Sequence, residues 1–268
     1  MAIITISRGS YSKGKEVAEK VAGKLGYKCI SRDLLVEASE HFNIPEIKLV
    51  RALHDAPSVL DRFTYGKERF LAFITATLFE HARKDNIVYH GLAGHFILKG
   101  IKHMLSVRIL ANIEDRVRLE MRREKLSYEE ALRIIRKDDQ ERRQWSLKIY
   151  GVDTWDPSLY DLVIHVDKIT VDDAVDLIFQ TVQSDKFRTT PESQSEVDEM
   201  ALAARVKAQL VHVMPGSTVK VRDGVVYVSV SAPIAQETEL AQEIAEVAKK
   251  EPGVKDVKVN VTPPTLWE

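Results

Sequence analysis

Lys13 and Lys15, separated by Gly14 and preceded by Gly9, are residue types at a spacing that can hold phosphate. They belong to the run Arg8-Gly9-Ser10-Tyr11-Ser12-Lys13-Gly14-Lys15-Glu16. Backbone N–H groups of such a turn converge on anionic oxygens, and a lysine adds a full charge. Before the run stands a β-branched stretch, Ile3, Ile4, Thr5 and Ile6; after it Val17, Ala18, Val21, Ala22 and Leu25 recur at helical spacing. Strand, turn and helix in that order point the positive end of the helix dipole at the turn. The implied ligand is a nucleotide or another phosphorylated molecule.

Two registers of the turn remain open. Gly9, Gly14 and Lys15 have the spacing of a Walker A loop, with Glu16 where Ser or Thr would hold Mg²⁺. Aligned by helix phase instead, the Walker lysine falls on Gly14, and Lys13 or Lys15 supplies the charge from a neighbouring position.

The elements that must position this turn follow from the rest of the chain. With 268 residues, of which 44% are hydrophobic, the chain can build one or two packed domains. Its 39 basic and 40 acidic residues give a net charge of −1, so no global field favours nucleic acid, and no nucleic-acid partner is expected. Cys29 is the single cysteine, which excludes an internal disulfide and suits a reducing compartment. No apolar run is long enough for a membrane span and no export signal is visible, so a cytoplasmic protein is expected.

Short apolar runs at 2–6, 28–30, 87–90, 106–110 and 162–166 alternate with amphipathic segments, the pattern of a parallel α/β sheet. Ligands of such sheets bind at the carboxyl ends of the strands, where the turn after the first strand lies. Ser127 and Glu130 have capping-box spacing, so one helix is expected to end near Lys125 and another to start at Ser127. The segment from Ile113 to Tyr150 is dense in charge and helical in pattern, and most of its arginines read as a solvated, salt-bridged face. His90 and His95 flank Gly91 without companions at metal-ligand spacing; packing roles are expected, and no metal site. Trp155, before Asp156-Pro157, reads as a packed corner, with base stacking as the lesser alternative.

A polar stretch at 185–195 reads as a linker between regions 1–184 and 196–268, each expected to fold by itself. The second region reads as helix, hairpin at Asp223-Gly224, helix and strand: a small α+β binding module.

ITISR with its Ser/Gly/Lys turn, EVAEKVAGKLGY, and the later block RKDDQERR…YGVDTWDPSLYDLVIHVDK resemble the cytidylate-kinase-like family of P-loop nucleoside-monophosphate kinases. The second region is similar to BON domains. The resemblance implies a five-stranded parallel core, a helical insert over roughly 34–83 and an arginine-bearing lid. It also implies in-line transfer of a phosphoryl group from ATP, with Mg²⁺ bound alongside the nucleotide, to a monophosphate such as CMP. Arg8, Gly9, Ser10, Tyr11, Ser12, Lys13, Gly14, Lys15 and Glu16 become the donor loop. Lys13, Lys15, Arg116, Arg122 and Arg142 take catalytic roles, and Asp138 and Asp139 match the acceptor-binding segment. A protein or small-ligand partner is implied for the BON-like module.

This chain departs from the family pattern at Glu16, at Ser31 where an aspartate is common, and at Gly91-Leu92 where related kinases carry Gly-Arg. The alternative reading is therefore a catalytically degenerate nucleotide-binding protein that relays ligand binding to its second module. A purely structural interaction protein is the third.

Overall fold

The structure, a computed structural model, describes residues 2–9, 12–31, 33–42, 66–91, 93–233 and 236–263. Five parallel strands form one sheet in the order β2-β3-β1-β4-β5. They are β1 (Ile3–Arg8), β2 (Lys28–Ile30), β3 (Ile87–Tyr89), β4 (Met104–Ala111) and β5 (Leu162–Val166). The expected runs thus become the expected strands. β1 lies between β3 and β4, with Ile3 opposite both Ile87 and Met104, and its apolar residues are buried on both faces, as a covered parallel sheet requires.

Helices cover both faces. On one, α1 (Gly14–Leu25) and α7 (Val171–Val182) bury Val17, Val21, Val175 and Ile178 against Ile4, Val107 and Ile109. Gly26 ends α1 at φ 69°, where its N–H returns to Ala22 and Gly23, a helix stop that favours glycine. On the other face, α2 (Asp33–Phe42), α3 (Gly66–Ala82) and α4 (Gly94–Ile97) pack Leu34, Phe73, Leu78 and Leu98 over Ile3, Ile30 and Ile87. The described parts of the expected insert are therefore helical.

The charged region is a helical hairpin, α5 (Ile113–Glu124) and α6 (Tyr128–Tyr150), held by a small apolar cluster of Val117, Ala131 and Ile135. Lys125 ends α5 in the left-handed region, and Ser127 and Glu130 close the capping box that opens α6. Arg118 with Asp115 and Arg123 with Glu124 make exposed ion pairs on their own helix, as a solvated face predicts.

The segment at 185–195 holds a 3-10 turn, Asp185–Phe187, and the first turn of α8 (Pro191–Leu210). Thr190 caps α8 through the Ser193 N–H and Pro191 occupies its first position. α8 then leads into β6 (Thr218–Arg222), β7 (Val225–Ser231), α9 (Glu237–Ala248) and β8 (Asp256–Thr262). β6 and β7 pair antiparallel across Asp223-Gly224, whose φ values of 53° and 79° suit a two-residue hairpin turn; β8 adds parallel to β7.

α8 serves two cores. Leu202, Val206 and Leu210 join Val226, Val228 and Ile244 in the second region. Val197, Ala201, Ala204 and Ala208 join the cluster around Phe73 on α3. Arg83 to Asp198 and Arg205 to Glu80 bridge the same seam. The expectation of two independently folding pieces therefore meets a shared apolar face: α8 covers the flank of α3 that a separated first region would leave in water.

Candidate active site

The turn after β1 is shaped by three contacts. Ser12 is fully buried, and its hydroxyl lies 3.0 Å from the carbonyl oxygens of both Gly9 and Ile109, tying the turn to the end of β4. Lys13, at φ 63°, is the N-cap of α1. A Cβ on Gly14 would fall 2.7 Å from Cβ of Arg8, so that close approach requires glycine. Ser10 and Tyr11, expected in the donor loop, lie outside the described residues.

These contacts separate the two lysines. Lys13 lines a cavity with Ala111, Asp115, Arg118, Leu119 and Arg122. Lys15 is exposed on α1 and faces Glu19 at 3.6 Å. Glu16 is also exposed and faces Lys20, which bonds Asp172 on α7. The structure therefore brings Lys13 and Arg122 to one cavity and leaves Lys15 and Glu16 on the solvent side of the helix.

Arg116 departs from the solvated face of the hairpin. It is 9% exposed, its guanidinium lies across Gly9 at 3.6 Å from a Cβ placed there, and it donates to Asp139 Oδ2 at 2.6 Å. One ion pair thus links α5, α6 and the turn. Arg142 lines the neighbouring cavity, whereas Asp138 is half-buried on α6 outside that lining.

That neighbouring cavity, about 210 Å³, opens at the carboxyl ends of β1 and β3, with Arg108 of β4 in its lining. Arg8 and Gly9 form its rim with Asp139 and Arg142. Tyr89, Phe96, Trp145 and Trp155 supply flat aromatic walls. The Tyr89 ring passes so close to Gly91 and Gly94 that a Cβ on either would lie 2.4 or 2.3 Å from it. Trp155 is 52% exposed and sits beneath the Arg143 guanidinium at 4.4 Å, with Arg143 clamped by both oxygens of Asp153. Those Arg143 hydrogen bonds, with the Trp155 N–H, hold the Asp153 carboxyl below its ordinary range.

The floor is a polar cluster. Arg108, on β4 and 8% exposed, donates from Nη1 to Tyr160 Oη at 3.1 Å and to Ser7 Oγ at 3.3 Å. Tyr160 Oη also lies 3.1 Å from the Thr154 carbonyl and 3.3 Å from His95 Nε2. Burial, reinforced by the Arg108 charge, pushes His95 down to about 3, so the ring is neutral at ordinary pH. Burial also pushes the Tyr150 hydroxyl up to about 12. Among the described residues no three His, Cys, Asp or Glu side chains gather as metal ligands, and none of the helices is long and apolar enough to cross a membrane.

Sequence reasoning missed Arg108 and Tyr160. The signal for Arg108 was a lone guanidinium inside the apolar run Ser106–Leu110: an interior parallel strand has no solvent face to carry it. Tyr160 lies in the DPSLYDLVI block, where Asp156 caps a 3-10 turn, Pro157–Leu159, that delivers its ring to the floor.

Residues 3–168 match the cytidylate kinase-like family. The cytidylate kinase of Sulfolobus acidocaldarius is 26% identical over 181 residues, covering 67% of this chain and 93% of that protein. The cytidylate kinase of Pyrobaculum islandicum is 26% identical over 176 residues, covering 65% and 89%. A solved structure of an uncharacterized protein from Eubacterium ventriosum superposes with a TM-score of 0.52 at 24% identity, over 69% of this chain and 99% of that one, a likeness of fold. With the family match running over more than half of its length, the chain belongs to the cytidylate kinase-like family.

Proposed function

We propose that the chain transfers the γ-phosphoryl group of ATP to a nucleoside monophosphate, CMP being the first acceptor to test. The observation that carries this reading is the convergence of Arg8, Arg108 and Arg142 on a cavity with aromatic walls, beside a turn built like a phosphate loop. Guanidinium groups suit phosphate and flat rings suit a base. The names of the curated relatives support cytidylate as the acceptor.

In this reading the turn and the N-terminus of α1 hold the donor phosphates, with Lys13 and Arg122 on one side and Arg116 across Gly9. An oxygen of the acceptor phosphate attacks the γ-phosphorus, the bond to the β,γ-bridging oxygen breaks, and ADP leaves with the released electron pair. The lid arginines offset charge spreading over the transferred oxygens, and positioning supplies most of the remaining acceleration. Asp139 orients Arg116 rather than touching the reacting atoms. Bound Mg²⁺ would offset charge on the donor phosphates; Ser12 is turned to backbone carbonyls and Glu16 faces Lys20, so the ion would arrive with the nucleotide.

In the register with Lys15 as the Walker lysine, Glu16 stands where such loops offer a hydroxyl to Mg²⁺, and this favours a second reading, nucleotide binding without turnover. The region after α8 is proposed as a BON-like binding module for a protein or small ligand. Incubating the full chain with ATP, Mg²⁺ and each common monophosphate, with ADP release as the readout, separates the readings. Monophosphate-dependent ADP release supports the kinase; saturable nucleotide binding without release supports the second reading.

A further inference from the structure

We infer that Arg108 is the receptor for the phosphate of the acceptor, the group by which the cavity selects a phosphomonoester over the free nucleoside. This rests on the kinase reading above and deepens it. Arg108 is 8% exposed in an interior strand, flanked by β1 and β5, yet it has no ion-pair partner among the described residues. Its hydrogen bonds go to two neutral hydroxyls, Ser7 and Tyr160, both from Nη1. A guanidinium has five N–H donors, so those on Nε and Nη2 remain for a ligand.

A buried charge is ordinarily paired, since withdrawing it from water costs several kcal/mol that only an opposite charge offsets. Here no carboxylate among the described residues is within ion-pair distance of it: Asp153, which feels the Arg108 charge, is spent on Arg143. Among the described residues, the carboxylate that lines the cavity is Asp139, and it is engaged by Arg116. His95, also on the floor, is held neutral by burial. The cavity therefore carries surplus positive charge whose natural complement is an anion within it.

The location says which anion. Arg108 is the cross-strand partner of Ser7, two residues before Gly9 of the donor turn. A phosphate bound to Arg108 thus lies beside the root of the turn that takes the donor, and the aromatic walls stand on the cavity side for its base. Tyr160 and Ser7 fix the guanidinium without neutralising it, which keeps its charge for the ligand.

The test uses the full chain and calorimetric titration with CMP, cytidine and ATP, comparing wild type with Arg108→Met. Wild type is expected to bind CMP more tightly than cytidine, and the variant to lose about 10–100-fold of that preference, the size of one charge-assisted contact. ATP affinity is expected to stay within about twofold, since the donor turn is untouched. The apo variant is expected to melt no lower than wild type, because removing an unpaired buried charge relieves the fold. A preference for CMP that survives in the variant overturns the inference. So does a wild type that shows no preference for CMP over cytidine, or a variant that melts lower and loses CMP, cytidine and ATP together. If the variant loses the preference while wild type releases no ADP, the receptor assignment stands and the kinase reading falls; turnover with an unaltered preference does the reverse.

Discussion

Arg116 on α5 lies 2.6 Å from Asp139 on α6, and the same guanidinium covers Gly9, so one ion pair couples the helical hairpin to the turn after β1. Both side chains are largely withdrawn from water, at 11% and 21% exposure. Asp139→Asn leaves Arg116 with a weaker, neutral partner. It should cost about 1–3 kcal/mol of stability, between the values for exposed and buried pairs. It should also lower turnover by about tenfold or more through misplacement of Arg116. Denaturant unfolding beside ADP-release kinetics checks both, and a stability loss with unchanged turnover would remove Arg116 from the chemistry.

The two lysines of the turn should behave differently. Lys13→Ala is expected to weaken ATP binding about tenfold, the loss of one charge-assisted contact, while Lys15→Ala changes it by less than about twofold. Titration calorimetry on the two variants reads this directly. A larger effect at Lys15 would mean that the Walker register, with Lys15 on the phosphates, holds in the bound state.

His95 makes stability depend on pH with a definite sign. Its folded value is depressed to about 3 from 6.5, so its contribution is complete above the unfolded value and is lost as pH falls from about 6.5 towards 3. By pH 5 the loss reaches about 2 kcal/mol, at 1.36 kcal/mol per pH unit. Urea unfolding of wild type and His95→Asn at pH 7 and pH 5 should show wild type losing more by that amount. Parallel losses would show that the ring is not held neutral.

A chain ending at 188 should be markedly less stable than the whole protein, because it strips Val197, Ala201, Ala204 and Ala208 from the core around Phe73. The expected signs are precipitation, or a melting temperature lower by about 10 °C or more, consistent with a loss of a few kcal/mol in a domain of this size. An unchanged melting temperature would show that the α3 flank needs no cover.

Much of this architecture is written locally. The five apolar runs, the Ser127 cap and the Asp223-Gly224 turn need only neighbouring residues to act, and the structure has each where those residues place it. Thr190-Pro191 was equally local, a cap followed by proline at the first helical position, but the polar residues after it hide the start of α8. The features that escaped depend on distant partners. Lys13 takes its left-handed conformation at a turn that Ser12 pins to Ile109 and that Gly14 fits against Arg8. Arg108 meets Ser7 only once β4 pairs with β1. The contact of α8 with α3 is made largely by alanines, whose weak hydrophobic contrast gives no stripe to read.

Phosphorus NMR of one tube holding the full chain, ATP, Mg²⁺ and CMP tests the central claim most directly, because it follows donor and acceptor together. Phosphoryl transfer predicts that the ATP γ resonance declines while ADP and CDP signals grow in equal amounts, with no matching rise of inorganic phosphate. ATP and CMP signals that persist unchanged, or ADP accompanied only by inorganic phosphate, would contradict the account.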